Sequence, residues 1–426
     1  MERWSGLPIA TKDGELSAVE GKTMATIIPR VPIRLLHSSL SVVRQFTFKE
    51  CTHFYAQKCL KRTLFSGDIL GIENFKRFRL FEKDNIGQEM ENFVQKLTFA
   101  KDDPTVSTTL IPDVMKLIYL ATTKSEVSLI VDLLHKCYGQ RDTDEEVADG
   151  GNKIVPGQSH SRHFQLGPLF MRLLHILKNT ETALAVWQDQ KLKNVFSKTT
   201  CCLVLMDLLY NEGQYQAVIK TFCQMQEAKV SPVQYPPDCT TLALAALYQM
   251  NSKEALVEAK QYIEQSRKER SLLSRRSMLF AAGLALNQGD PVYALDIANH
   301  LCNDSNKESI FRNVKVIAFA QLGQMKDALD LMEGGLWVDV PTQSRVGTIF
   351  SNTVETVAAK VRESGNQDLA HRYMHIQNLL NREGLLSPQT LNHFVERPIL
   401  RQRKQISQSF KSRPKSLVPT QKYLKT

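Results

Sequence analysis

The stretch TTCCLVLMDLLYNEGQYQAVIKTFCQMQEAKVSP, residues 199–232, predicts two short helices joined by a turn at Gly213. Glycine ends the first helix because it readily adopts the left-handed backbone conformation. In the second helix, apolar residues are spaced i, i+4 and i+7, which places Phe222 and Met225 on one face. Pro232 ends the second helix, since it has no amide hydrogen. A hairpin this small cannot bury its apolar side alone, so we expect neighbouring hairpins.

The same pattern recurs along the chain at intervals of 34 to 42 residues. With Gly213 as the reference, the predicted turn positions are Lys178, Gly213, Met250, Gly289, Gly323 and Gly365. A small or apolar residue lies five positions after each turn, and residues nine positions after it share the same helix face. A helical hairpin repeated at this period predicts an all-α fold, an α-solenoid of stacked helical hairpins with a continuous groove. The alternative is an irregular helical domain with chance matches.

The sequence divides into an N-terminal segment, a helical array that contains an insertion, and a C-terminal tail. Residues 61–385 are expected to form the helical array, whose last hairpin ends near Leu380. Residues 139–163 are acidic and then rich in glycine and proline, which predicts a flexible insertion. Residues 397–426 contain nine Lys or Arg and no Asp or Glu, which predicts a disordered basic tail.

The N-terminal residues 1–60 are predicted to hold a mitochondrial import sequence and otherwise to be disordered. Residues 21–49 contain no acidic residue, and the segment RLLHSSLSVVRQF is amphipathic and carries Arg and Ser. The acidic first 20 residues break this pattern, so Met24 is a candidate start of the imported protein. The alternative is a disordered basic arm on a cytosolic protein.

Charge is distributed unevenly: residues 1–62 have a net charge of +5, residues 397–426 of +9, and the body between them of −4. A claim of nucleic-acid binding must therefore rest on local clusters. The densest one is SRKERSLLSRRS, residues 266–277, whose cations are Arg267, Lys268, Arg270, Arg275 and Arg276. Two interpretations stay open, a phosphate-contacting patch or a solvated loop between hairpins.

The motifs of enzymes and cofactor sites are missing from the sequence. It contains no P-loop, G-x-S-x-G or H-E-x-x-H motif. We therefore do not expect the protein to be an enzyme or to bind a cofactor. His160 and His163 form H-x-x-H without further ligands, and the eight cysteines form no C-x-x-C, so we expect no metal and reduced thiols. No run approaches the ~18 apolar residues of a bilayer crossing, so no membrane span is expected.

The hairpin at about 199–233 resembles a pentatricopeptide repeat, because Gly213, Phe222, Met225 and Pro232 stand at the spacings of that family. The resemblance implies a pentatricopeptide/tetratricopeptide-like superhelix. Four blocks also resemble a mitochondrial member of the family, from about residue 60 to 300. They are KRTLFSGDIL at 61–70, FQLGPLFMRLL at 164–174, SKTTCCLVLMDLLYNEGQYQAVIKTFCQM at 197–225 and SRRSMLFAAGLALNQ at 274–288.

This resemblance implies a non-catalytic protein of the mitochondrial matrix that acts in RNA maturation and thereby supports the respiratory chain. The implied partner is mitochondrial RNA, such as an mRNA precursor. The family reads one base per hairpin with two or three side chains. The implied reading positions in the first helices are Pro168, Leu203, Thr240, Leu279, Asn313 and Glu355. Only Thr240 and Asn313 are of base-reading types, and Val233 stands where Asp or Asn would be expected.

Two functions are therefore carried forward. In the first, the array binds mitochondrial RNA through the five cations of residues 266–277, with Thr240 and Asn313 as further candidates. In the second, the array is a scaffold for a ribosomal or RNA-processing protein and reads no bases directly. The poor base code and the negative body favour the second, whereas the family resemblance favours the first.

Overall fold

The computed structural model describes residues 63–103, 110–138, 160–301, 309–336 and 348–399. All of them belong to one unit, Lys61–Thr426. The predicted import sequence, most of the insertion and residues 400–426 of the basic tail lie outside the described residues.

The described chain is almost entirely helical, as predicted. Its first helices are α1 (Gly67–Leu70), α2 (Ile72–Ile86), α3 (Met90–Asp102), α4 (Ile111–Leu120) and α5 (Lys124–Tyr138). Helical pairs then follow as α6 (His160–Leu177) with α7 (Thr180–Gln188), the short α8 (Lys193–Phe196), α9 (Thr199–Asn211) with α10 (Tyr215–Glu227), and α11 (Pro237–Met250) with α12 (Lys253–Lys268). The later pairs are α13 (Arg275–Asn287) with α14 (Pro291–Leu301), α15 (Ser309–Gln321) with α16 (Met325–Gly334), and α17 (Ser351–Ser364) with α18 (Gln367–Arg382). Short 3-10 turns lie at Gly87–Glu89 and Gln190–Leu192.

The pairs stack as hairpins of an α-solenoid, which confirms the predicted fold class. Each first helix packs on the next first helix in the order α6, α9, α11, α13, α15 and α17. The second helices α10, α12 and α14 also pack on the first helix that follows them. Helices α9, α11 and α13 are buried on every side over ten successive residues, so they form an internal layer of the array. We call the stacked first helices of the hairpins the first-helix layer.

A residue with a left-handed backbone conformation follows the first helix of each hairpin, at or next to the turn position predicted from Gly213. These residues are Lys178, Gly213, Asn251, Gly289, Gly323 and Gly365, with φ between 47° and 77°. The predicted turn position Met250 is wrong by one residue, because Met250 still belongs to α11 and the next residue is left-handed. Asparagine adopts this conformation more readily than methionine, since its short polar side chain bonds locally. Ala255 and Ala259 of α12 nevertheless stay buried in the core.

Helix α6 begins earlier than predicted. It starts at His160, so residues 160–163 are helical and the predicted insertion at 139–163 extends too far. Within this helix, Gly167 approaches the backbone of α8: a Cβ built on it would lie 2.1 Å from the Val195 carbonyl oxygen. The Gly-Pro pair at 167–168 therefore marks a close helix crossing.

After α18 the chain turns back along the array. Strand β2 (Leu386–Ser387) pairs in parallel with β1 (Ile349–Phe350), and a short helix α19 (Leu391–Val395) follows. Ile399 then bridges Phe65 near the start of the described chain, where its N–H donates to the Leu64 carbonyl at 2.7 Å. We call residues 386–399 the return segment. Leu391 and Val395 are buried in the same core as α11 and α13, so the expected continuous groove is covered over these helices.

None of the helices in the described ranges combines the length and apolar character that crossing a bilayer would demand.

Candidate nucleic-acid interface

The cation cluster of residues 266–277 spans two helix ends and the turn between them. Arg267 and Lys268 lie in the last turn of α12, and Arg275 is the first residue of α13. Arg270 lies in the connecting turn with φ of 54°. Lys268, Arg270 and Arg275 have exposed side chains. The N-terminus of α13 adds the positive end of its helix dipole at this junction, which favours an anion.

Arg267 and Arg276 of the cluster bond to protein groups outside it. The Arg267 guanidinium lies 3.6 Å from the carboxylate of Asp296 on α14. Arg276 donates from its guanidinium to the Val395 carbonyl of the return segment at 3.0 Å. Burial lowers the pKa of Arg276, and the nearby charge of Arg397 lowers it further. Arg276 therefore binds the return segment to α13. The side chains of Lys268, Arg270 and Arg275 are exposed at the junction.

Thr240, one of the two base-reading candidates, lies inside the array. Its hydroxyl donates to the Pro236 carbonyl at 2.8 Å, and the residue is fully buried. Because α11 begins at Pro237, its fifth residue is Thr241, which is also buried and lies 2.7 Å from the Ser277 hydroxyl. Both threonines thus bond within the first-helix layer.

Asn313, the other candidate, is also fully buried. Its amide nitrogen donates to the Thr348 carbonyl at 2.7 Å, and its amide oxygen accepts from the Phe350 N–H at 2.9 Å. The side chain ties α15 to the chain that enters β1. A base could reach this amide only by replacing both backbone bonds. Of the remaining reading positions, Pro168, Leu203 and Leu279 are buried and Glu355 is exposed.

The residues that define the repeat take structural places. Gly213 has φ of 77° and ends α9, while Phe222 and Met225 are buried in the core. Pro232 lies exposed in the connection between α10 and α11. Val233, at the second reading position, is also exposed in that connection. The hairpin thus has the predicted architecture, and the two reading positions that the resemblance implies for it, Leu203 and Val233, carry apolar side chains.

A buried polar cluster that sequence reasoning did not single out joins α6 to α9. The Asp207 carboxylate is fully buried and lies 2.8 Å from His175 Nε2. The Asn211 amide donates to the same carboxylate oxygen at 2.8 Å. An aspartate within the apolar run LVLMDLLY was the available signal, because a buried charge requires partners.

The described cysteines of the array are mostly buried thiols. Cys201, Cys202 and Cys239 are buried, and burial raises the pKa of Cys201 to about 12. Within the described ranges, no three His, Cys, Asp or Glu side chains are grouped to hold a metal ion. His160 and His163 lie in the first turn of α6.

Comparison with known proteins gives relatives of one kind. No protein-family model matches the chain. The chain is 30% identical over 243 residues to human "Pentatricopeptide repeat-containing protein 2, mitochondrial", a match that spans 55% of this chain and 58% of the human protein. Proteins of the same name from Xenopus laevis and Danio rerio are 23% and 24% identical over 341 and 360 residues, covering 79% and 83% of this chain and 81% and 86% of theirs. The chain is thus similar, over most of its length, to mitochondrial proteins named for the pentatricopeptide repeat.

Proposed function

We propose that this chain is a non-catalytic, RNA-binding helical-repeat protein of the mitochondrial matrix. It acts in the processing or maturation of mitochondrial RNA, such as an mRNA precursor, and thereby supports the respiratory chain. The stacked hairpins and the similarity to mitochondrial pentatricopeptide repeat-containing proteins support this proposal. Proteins built from such repeats bind single-stranded RNA along the array.

The cation cluster at the junction of α12 and α13 carries the proposal. Lys268, Arg270 and Arg275 are exposed within one short turn and two adjoining helix ends. The body has a net negative charge, so this local concentration of positive charge is distinct from the background. Phosphate contacts from these side chains give affinity without base specificity. That property fits an array whose reading positions are mostly buried or apolar.

The test measures RNA affinity as a function of salt. We compare the full chain with the triple variant K268A/R270A/R275A, using a fluorescently labelled single-stranded RNA of mixed sequence. Each lost phosphate contact lowers the slope of log affinity against log salt by about 0.7. The triple variant should therefore show a slope smaller by about 2 and bind at least about tenfold more weakly at low salt.

A charge-matched control separates a local site from general attraction. Lys326, Arg362 and Arg382 are exposed cations on α16, α17 and α18, and K326A/R362A/R382A removes the same charge. This control should retain nearly the full affinity and slope. Equal losses in both triple variants would show that the junction is not a specific contact site. Absence of any RNA adduct after crosslinking in isolated mitochondria would contradict RNA binding altogether.

The second candidate is a protein-binding scaffold of a mitochondrial ribosomal or RNA-processing complex. One observation favours it: the return segment, a piece of polypeptide, already lies on the first-helix layer. A face that accepts one peptide segment can accept another. Crosslinking in mitochondria discriminates the two functions, because the scaffold predicts protein adducts and no RNA adducts.

A further inference from the structure

Three polar contacts join the return segment to α11 and α13. Tyr248 of α11 donates its hydroxyl to the Asn392 amide oxygen at 2.6 Å. Its neighbour Gln249 donates to a Glu396 carboxylate oxygen at 3.1 Å. Arg276 of α13 donates to the Val395 carbonyl, as described above. In these three contacts the array supplies the donor and the return segment supplies the acceptor.

The covered side chains are of the types that hold single-stranded RNA. The rings of Tyr248 and Tyr210 pack on Phe280 and Tyr215, and their hydroxyls lie at the covered face. The Gln249 amide lies 3.5 Å from the Tyr210 hydroxyl, so the three side chains form one polar group across α9 and α11. Hydroxyl and amide groups form hydrogen bonds with base edges, and guanidinium groups form hydrogen bonds with phosphates. Arg276 adds the guanidinium on the next first helix.

Glu396 places a negative charge over this group. Besides its bond to Gln249, its carboxylate is close enough to act on Tyr248, whose pKa rises to about 12 through burial first and then through this charge. The return segment thus presents a carboxylate, an amide oxygen and a backbone carbonyl to the array. A single strand of RNA presents the same kind of acceptors as phosphate and base oxygens.

The return segment is a modest structure that a ligand could displace. Its helix α19 has five residues, and helices of this length are not stable alone in water. Two buried apolar side chains, Leu391 and Val395, anchor it. The sequence after Ile399 carries eight Lys or Arg and no acidic residue, which brings a polyanion close to this end of the segment.

We propose that α9, α11 and α13 carry a contact face for single-stranded RNA, formed by Tyr210, Tyr248, Gln249 and Arg276, which the return segment covers until RNA displaces it. This inference rests on the proposed function and locates a second part of the RNA path. It differs from the reading positions that the family resemblance implies, which in this chain are mostly buried or apolar. The covered state and the RNA-bound state exclude each other at Gln249 and Arg276.

The test detaches the return segment from the contact face in the full chain without changing the net charge; we call the resulting protein the opened variant. L391S/V395S removes the two apolar anchors, and the matched control L80S/M374S changes two exposed apolar residues, 63% and 58% accessible. If the open state is populated at 1–10% in the parent, the opened variant should bind the labelled mixed-sequence single-stranded RNA about 10- to 100-fold more tightly. The control should bind like the parent. Circular dichroism checks that all proteins are folded.

Two further measurements locate the RNA. In the opened background, Q249A should lower RNA affinity about fivefold, the equivalent of one lost hydrogen bond. In the parent, added RNA should increase amide hydrogen exchange at Ile399, whose N–H bonds to the Leu64 carbonyl in the covered state.

The outcomes separate this inference from the proposed function. Equal RNA affinity of the parent and the opened variant, with Ile399 still protected, would overturn the covered face and leave RNA binding at the α12–α13 junction intact. Absence of RNA binding by either protein would overturn both. An opened variant that gains a protein partner and no RNA affinity would assign the face to protein and overturn the inference.

Discussion

His175 of α6 and Asp207 of α9 lie 2.8 Å apart, and the Asp207 carboxylate has no exposure to solvent. Removal of one partner from a buried pair leaves the other polar group unpaired and costs about 3–5 kcal/mol. We therefore expect D207A to lower the free energy of unfolding by about 3 kcal/mol or more, measured by urea denaturation. D330A, which removes an exposed carboxylate paired with Arg372, should cost at most about 1 kcal/mol. Equal stability of the two variants would contradict the structural importance of the buried pair.

Gly167 allows the close approach of α6 to α8. A Cβ at this position would lie 2.1 Å from the Val195 carbonyl oxygen and 3.1 Å from the Cys201 sulfur, so the two helices must separate to admit alanine. Overpacking of this kind costs about 1–3 kcal/mol. G167A should lower the thermal midpoint, followed by circular dichroism. G334A in α16 meets no atom within 4 Å and should leave the midpoint unchanged or slightly higher.

The thiols of α9 should be inert in the folded protein. Burial raises the pKa of Cys201 to about 12, so at pH 8 only about 10⁻⁴ of it is thiolate, the form that reacts with iodoacetamide. Cys223 of α10 is partly exposed and should be alkylated before Cys201, as measured by mass spectrometry of the peptides. In urea the difference should disappear. Rapid labelling of native Cys201 would show that α9 opens locally.

The helical array follows from sequence because its signals are local. Glycine at Gly213, Gly289 and Gly323 ends a first helix each time, and the residues five positions later are buried. The turn position predicted at Met250 is one residue too early, because the turn uses Asn251 in place of a glycine. Asparagine prefers the left-handed conformation less strongly than glycine, so the sequence signal is weaker there. Periodicity thus predicts hairpins and their stacking, since both depend on residues near in sequence.

The covered first-helix layer could not be predicted in this way. Tyr248 and Asn392 are separated by 144 residues, and nothing in the sequence near either one indicates the other. Helix α11 is buried over ten successive residues, and its sequence does not indicate that the chain's own C-terminal segment provides part of the cover. Asn313 has the same limitation, because its partners lie beyond the end of its own hairpin.

Asn313 is of a residue type that can read RNA bases, and its substitution tests directly whether it contacts a base in this protein. Both ends of its buried amide bond the backbone at Thr348 and Phe350, so N313A leaves two backbone groups without a partner. Unpaired buried groups cost about 1–3 kcal/mol each, and we expect N313A to lower the free energy of unfolding by at least about 2 kcal/mol. The RNA affinity of the folded variant, measured well below its unfolding midpoint, should equal that of the parent, whereas K268A/R270A/R275A should lose affinity and keep its stability. A variant N313A that is fully stable but has lost affinity or base preference would instead identify Asn313 as a base contact and require β1 to move away when RNA binds.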